Sequence, residues 1–206
     1  LISLVPPHST KNLLERATEV YRSQLPGSPG EFHLSGRGIT IETMQKFRLG
    51  YVADPLLGDE YYIGRISIPY LTASGVVSVR YRTAAEAKPK YLSSPGDVGR
   101  PFNVLALGSN NKVYVTEGEM DAITLDQMGL TAIGIPGATQ WQRVYGRILR
   151  FRTVVVLADG DQAGRDFADA ISRDIRVKVI HMPDGEDVNS VYCSMGEEKF
   201  LEWITE

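Results

Sequence analysis

The sequence predicts a mixed α/β chain: a small parallel sheet flanked by helices over residues 109–206, preceded by a basic α+β subdomain over residues 1–108. Three observations predict it. From residue 113 onward, short apolar runs alternate with amphipathic stretches, the rhythm of β/α units whose sheet is covered on both faces. Acidic clusters close two of those runs, Glu117-Gly118-Glu119-Met120-Asp121 and Asp159-Gly160-Asp161, and a third, Asp184-Gly185-Glu186-Asp187, follows another. Charge also divides the chain. Residues 1–108 hold 12 Lys and Arg against 9 Asp and Glu, whereas residues 109–206 hold 10 against 16. A basic front and an acidic rear suit different tasks, one toward a polyanion and one toward a metal.

In the front half, Leu13, Leu14, Ala17, Val20 and Tyr21 carry the spacing of an amphipathic helix over 13–24. Ser9 or Thr10 is its expected cap, and Pro26-Gly27 its stop. A short helix is expected from Phe32 to Ser35, broken by Gly36-Arg37-Gly38, and Thr40 caps another that runs to about Phe47. Gly64–Tyr70 and Val76–Arg82 read as strands joined by a turn at 72–75, and 88–100 as an irregular basic loop. Ser109-Asn110-Asn111 is the expected boundary. Beyond it strands are expected at 113–116, 131–135, 153–158 and 177–182, and helices at 120–128, 139–151, 162–173 and 197–204.

Open α/β sheets bind ligands outside the carboxyl ends of their strands, where the three acidic clusters fall. Carboxylates gathered within about 4–6 Å repel one another by a few kcal/mol at an effective dielectric of about 20, and a bound cation relieves that cost. Mg²⁺ takes oxygen donors, so the pattern reads as a Mg²⁺-dependent enzyme acting on phosphates. Glu117 and Asp121 lie four apart across a strand-to-helix junction, facing the same side of the first helical turn; helix capping is the alternative for both.

The 206 residues suffice for a buried core, and their 43% hydrophobic and 23% charged content is that of a globular protein. No apolar run approaches the roughly 20 residues needed to cross a membrane, and no secretory leader is recognisable, so a cytoplasmic setting is expected. The opening Leu1-Ile2-Ser3, without methionine, suggests a piece excised from a longer protein. The lone Cys193 excludes an internal disulfide and a Cys-x₂-Cys zinc site, and is expected to be a small buried hydrophobe. His8, His33 and His181 show no ligand spacing, and Trp141 and Trp203 read as packing groups.

Glu117-Gly-x-x-Asp121, Asp159-Gly-Asp161 and Asp187 resemble the Toprim domain, which DNA primases, topoisomerases, some nucleases and recombination proteins share. The front half narrows this. Arg37-Gly38-Ile39-Thr40 with Phe47-x-Leu49-Gly50-Tyr51, Gly64-Arg65-Ile66-x-Ile68-Pro69, and Pro89-Lys90-Tyr91-Leu92-Ser93-Ser94-Pro95 resemble segments of DnaG-type primases. So do Asp159-Gly-Asp161-x-Ala163-Gly164-Arg165 and Pro183-Asp184-Gly185-Glu186-Asp187. The matches stay in order from about residue 17 to 200, over the RNA-polymerase core of that family.

The resemblance implies a Toprim fold for residues 109–206 and synthesis of RNA primers from NTPs on single-stranded DNA. It implies Glu117 as general base or metal holder, and Asp159, Asp161 and Asp187, with Asp121 nearby, as ligands of Mg²⁺ or Mn²⁺. Lys90, Arg82 and Arg37 fall where the family contacts template and nucleotide. Arg100 approximates a missing His-Lys pair, and Tyr91 could stack on a base or be buried. Asn189 stands where many relatives carry aspartate, and Glu119 where an aromatic residue is common. No zinc site or helicase-interaction domain is recognisable, although a replicative helicase is an implied partner. Alternatives are a Toprim nuclease or recombination-type protein, or a non-catalytic module binding single-stranded DNA.

Overall fold

The computed structural model describes residues 6–85, 88–94, 97–108, 110–136 and 141–206. Two compact units emerge, Leu1–Val98 and Gly99–Glu206.

In the first unit α1 (His8–Ser23) buries Ala17, Thr18 and Tyr21. Its N-cap is Pro7, so Ser9 and Thr10 lie inside the first turn rather than capping it. Proline is tolerated at this N-cap because its missing N–H would have had no helical acceptor. Ser28 caps α2 (Pro29–Gly36), accepting from the Glu31 N–H at 3.3 Å, which places the start three residues before the expected Phe32. Thr40 caps α3 (Ile41–Lys46) through the Thr43 N–H at 3.2 Å, as its sequence predicts.

The strands β1 (Gly50–Tyr51), β2 (Arg65–Thr72), β3 (Gly75–Thr83) and β4 (Tyr91–Ser93) pair antiparallel in that order. The β2–β3 hairpin was legible from two strand-like runs joined by the turn at 72–75. β4 was not, and lies within the stretch expected to be a loop, where Tyr91 pairs with Arg82 and Ser93 with Arg80. Tyr21, Val52, Tyr62, Val76, Val79 and Tyr81 form the core, with the rings of Tyr62 and Tyr81 stacked at 3.8 Å.

The second unit runs β5 (Lys112–Thr116), α4 (Glu119–Gln127), β6 (Ala132–Gly134), α5 (Arg143–Leu149), β7 (Thr153–Ala158), α6 (Gln162–Ser172), β8 (Lys178–His181), α7 (Val188–Met195) and α8 (Glu197–Thr205). Its sheet is parallel, in the order β6-β5-β7-β8. β5 and β7 are buried nearly end to end, which is why they read as continuous Val-rich runs.

Three departures from expectation have physical causes. The units divide after Val98, ten residues before the expected boundary, because Phe102 and Gly134 exchange backbone hydrogen bonds of 2.7 and 3.3 Å and tie 99–108 to the parallel sheet. Ser109 of that expected boundary lies outside the described residues, as do Thr139 and Gln140 at the start of the helix expected over 139–151. Helix α7 was unforeseen, yet Asp187 and Ser190 form a reciprocal capping box at its start. Cys193 is exposed rather than buried, since α7 turns Val188, Asn189 and Val191 inward and leaves Cys193 off that face. Among the described residues no helix is long and apolar enough to cross a membrane.

Candidate catalytic centre

β5 and β7 are parallel neighbours, so their carboxyl ends deliver Glu117 and Asp159 to the same sheet edge. The backbone N–H of Asp159 donates to Oε1 of Glu117 at 3.3 Å. A second pair of backbone bonds draws in the loop after β8: the Gly160 N–H donates to the Glu186 carbonyl and the Gly185 N–H to the Gly160 carbonyl, both at 2.9 Å. Only glycine permits this approach. A Cβ at position 160 would lie 1.8 Å from the Pro183 carbonyl oxygen, and one at 164 would lie 2.1 Å from that of Asp159. The Asp-Gly-Asp-x-Ala-Gly run is therefore as much a packing requirement as a chemical one.

Asp161 caps α6, accepting from the Gly164 N–H at 2.8 Å, and Asp187 caps α7, accepting from the Ser190 N–H at 2.7 Å. Capping does not exhaust them, because a carboxylate offers about four lone-pair positions. Asp121, 6% exposed in the first turn of α4, accepts from the Asn189 N–H at 3.2 Å. Glu119 is buried in that same turn.

Five carboxylates thus share one end of the sheet, and their charges act on one another. Burial pushes Asp159 up to about 8, with Asp121, Glu117, Asp187 and Asp161 adding to the rise. Burial likewise raises Glu117 to about 7, against the hydrogen bond from Asp159 and with the charges of Asp161 and Asp121. Oδ1 of Asp159 is buried without a hydrogen-bond partner. An orphaned carboxylate oxygen amid four other acids is a donor set that a hard divalent cation fits. Among the described residues no three His, Cys, Asp or Glu side chains are grouped so as to hold a metal ion by themselves. Mg²⁺ does not require one, as it keeps several waters and takes one or two carboxylates together with substrate phosphates.

Asn189 does work that an aspartate there could not. Its side-chain amide donates to Thr124 Oγ1 at 2.9 Å, while the Thr124 hydroxyl donates onward to the Met120 carbonyl at 2.9 Å. The hydroxyl proton is already committed, so the neighbour must be a donor. The neutral amide ties α7 to α4 and carries Asp187 and Asp121 with it. The sequence signalled position 189 only as a departure from relatives.

The basic residues were expected together, and the first unit gathers three of them. Arg37, Arg82 and Lys90 line a cavity of about 740 Å³ with Lys88 and His33. Arg82 is only 4% exposed and donates from Nη1 to the Tyr91 hydroxyl at 2.7 Å, while its Nε is buried without a partner. The guanidinium groups of Arg80 and Arg82 lie 4.7 and 5.4 Å from the centre of the Tyr91 ring. His33 is on this cavity wall, a placement that a single histidine in the sequence could not reveal. Burial, then the charges of Arg82 and Arg37, hold its imidazole below the ordinary range. Arg100 is in the second unit instead, near enough to Tyr145 for its charge to act on that phenol.

Residues 114–192 match the family described as Toprim-like. The gene 57 protein of Mycobacterium phage D29 is 40% identical, over 69% of this chain and 99% of that protein. The DNA primase of Haemophilus influenzae is 29% identical over 94% of this chain, but the match takes in only 42% of that primase. This chain therefore spans about two fifths of its length. The fold superposes on the DnaG primase catalytic domain bound to ssDNA with a TM-score of 0.78 at 22% identity, covering 95% of this chain and 80% of that one. It superposes on a DNA primase domain from Pseudomonas aeruginosa with a TM-score of 0.75 at 25% identity, covering 95% and 78%.

Proposed function

Since the chain belongs to the DnaG-type primases, as a counterpart of their catalytic core, we propose that it synthesises short RNA primers from NTPs on a single-stranded DNA template. The observation that carries this reading is the buried, unpartnered Oδ1 of Asp159 amid Glu117, Asp121, Asp161 and Asp187. Such a group has no structural use for its charge, and a phosphoryl-transfer centre does.

Asp159, Asp161 and Asp187 would hold Mg²⁺ or Mn²⁺, with Glu117 and Asp121 beside them. Bound there, the metal would supply charge to steady both the attacking and the leaving oxygens. Glu117, half-buried and raised to about 7, would serve as the base that accepts the proton of a 3′-hydroxyl near neutral pH. Gly160 lets the loop after β8 pack against the end of β7, and Gly164 lets the first turn of α6 lie against the Asp159 backbone. Arg37, Lys88 and Lys90 offer phosphate partners along their own cavity, while the buried Arg82 orients Tyr91. A cytoplasmic setting and a replicative helicase as partner belong to the same proposal.

Incubation with a single-stranded template, labelled NTPs and Mg²⁺ or Mn²⁺ tests it. Short RNA products that vanish with EDTA are expected. Cleavage of the DNA without any RNA product would favour a Toprim nuclease, and DNA binding without chemistry would favour a passive module.

A further inference from the structure

The second unit is acidic, with 11 Lys and Arg against 16 Asp and Glu over residues 99–206, yet its cations are not scattered. Four of them, Arg150, Arg152, Arg176 and Lys178, line one cavity of about 690 Å³. The cavity lies at the amino ends of β7 and β8, the opposite sheet edge from the acidic centre, and its lining includes Leu149 and Val154. Asp174 is the one carboxylate in its lining, and it already accepts from Trp141 Nε1 at 2.8 Å and Arg143 Nε at 3.0 Å. Among the described residues Arg150, Arg176 and Lys178 make no ion pair. Arg152 is fixed in place by donating to the Asn110 and Gly108 carbonyls.

An aromatic group completes the surface. Phe151 forms the tight link between α5 and β7, flanked by Arg150 and Arg152, and is 88% exposed. The Arg150 guanidinium lies 5.7 Å from the centre of its ring. So large an apolar side chain is costly to leave in water, and among the described residues of its unit none covers it.

We propose that this edge of the parallel sheet is a second nucleic-acid surface, in which Arg150, Arg176 and Lys178 take phosphates of a single strand and Phe151 stacks on a base. Cations of one sign around the cavity neutralise a polyanion, and an exposed ring beside them suits bases of any sequence. The ring is outside the cavity lining, so phosphate and base contacts fall on separate parts of the surface, as a strand would present them. The inference goes beyond primer synthesis and does not require the acidic centre.

The test is fluorescence anisotropy of a labelled oligo-dT with the full chain, in EDTA and over a range of KCl concentrations. The triple variant Arg150→Gln/Arg176→Gln/Lys178→Gln should weaken binding at least about tenfold at low salt. It should also flatten the salt slope by about 2, at roughly 0.7 per lost contact. Phe151→Ala should weaken binding at least about fivefold with the slope unchanged. Both variants should melt with the parent. Parental affinity and slope in both, with melting intact, would overturn the proposal, as would a complete loss of binding in Lys90→Ala alone. Competition by ATP as effective as that by unlabelled oligo-dT would overturn it in favour of a mononucleotide site. A chain that binds through this surface but makes no RNA would sink primer synthesis and leave this inference standing.

Discussion

The Asp159 N–H and the Glu117 carboxylate meet at 3.3 Å across two adjacent parallel strands, so the backbone of one acid positions the side chain of the other. Glu117→Gln keeps an oxygen to accept that bond while removing the charge. Polymerisation should fall by at least about 100-fold, the lower range for loss of a general base. Single-stranded DNA affinity and melting temperature should stay near parental values. Full primer synthesis by this variant would remove Glu117 from the chemistry.

Without divalent metal the acidic centre should make stability fall with rising pH. Asp159 titrates near 8 in the fold against an ordinary 3.8, and Glu117 near 7 against 4.5. Both acids bind protons more tightly folded than unfolded, so their contribution is fully present below about pH 4 and is lost as pH rises toward 8. In EDTA the melting temperature should decline across that window, and Mg²⁺ should reverse the decline at pH 8. Asp159→Asn should stabilise the metal-free chain at pH 8 by about 1–2 kcal/mol, after allowance for solvent screening of a half-buried group. Flat melting curves in EDTA would show that the carboxylates do not strain one another.

Gly160→Ala tests the loop junction. Its new Cβ would fall 1.8 Å from the Pro183 carbonyl oxygen, which is main chain and cannot swing aside. The 2.9 Å pair joining Gly160 to Gly185 and Glu186 should break, with a loss of about 1–3 kcal/mol and of metal-dependent activity. Gly36→Ala, a helical position with open space for a Cβ, is the control and should melt normally.

Lys90 and Arg82 share a cavity and should behave differently. Lys90→Ala should weaken single-stranded DNA binding for every sequence alike and flatten the salt slope by about 0.7. Arg82→Ala also removes the buried donor to the Tyr91 hydroxyl, so it should lower the melting temperature as well, by the equivalent of about 1–3 kcal/mol. Equal melting of the two variants would show that the Arg82–Tyr91 bond is not structural.

Much of this was legible in the sequence, and the rest was hidden for identifiable reasons. β7 was read to the residue because Thr153–Ala158 is buried along almost its whole length and ends on Asp159. Glu117, Asp121, Asp159, Asp161 and Asp187 were expected at one sheet edge because each follows the carboxyl end of a strand in a parallel sheet. β4 was missed because three residues between proline-containing stretches have too little periodicity to signal a strand. Helix α7 was missed because Asp187 was read as a ligand, and one residue can cap and bind at once. Asn189 and His33 owe their surroundings to neighbours 65 and about 50 positions away, on α4 and β3, which local pattern does not carry.

Asp161 and Asp187 cap helices and are also proposed metal ligands, which bears on how mutational scans of this chain are read. Replacement by alanine removes a helix cap and a charge together, so a dead variant says nothing about which was needed. Asparagine retains the capping oxygen and deletes only the charge. The gap between the two substitutions at each position separates architecture from chemistry, and a scan confined to alanine would credit the metal with work done by the helices.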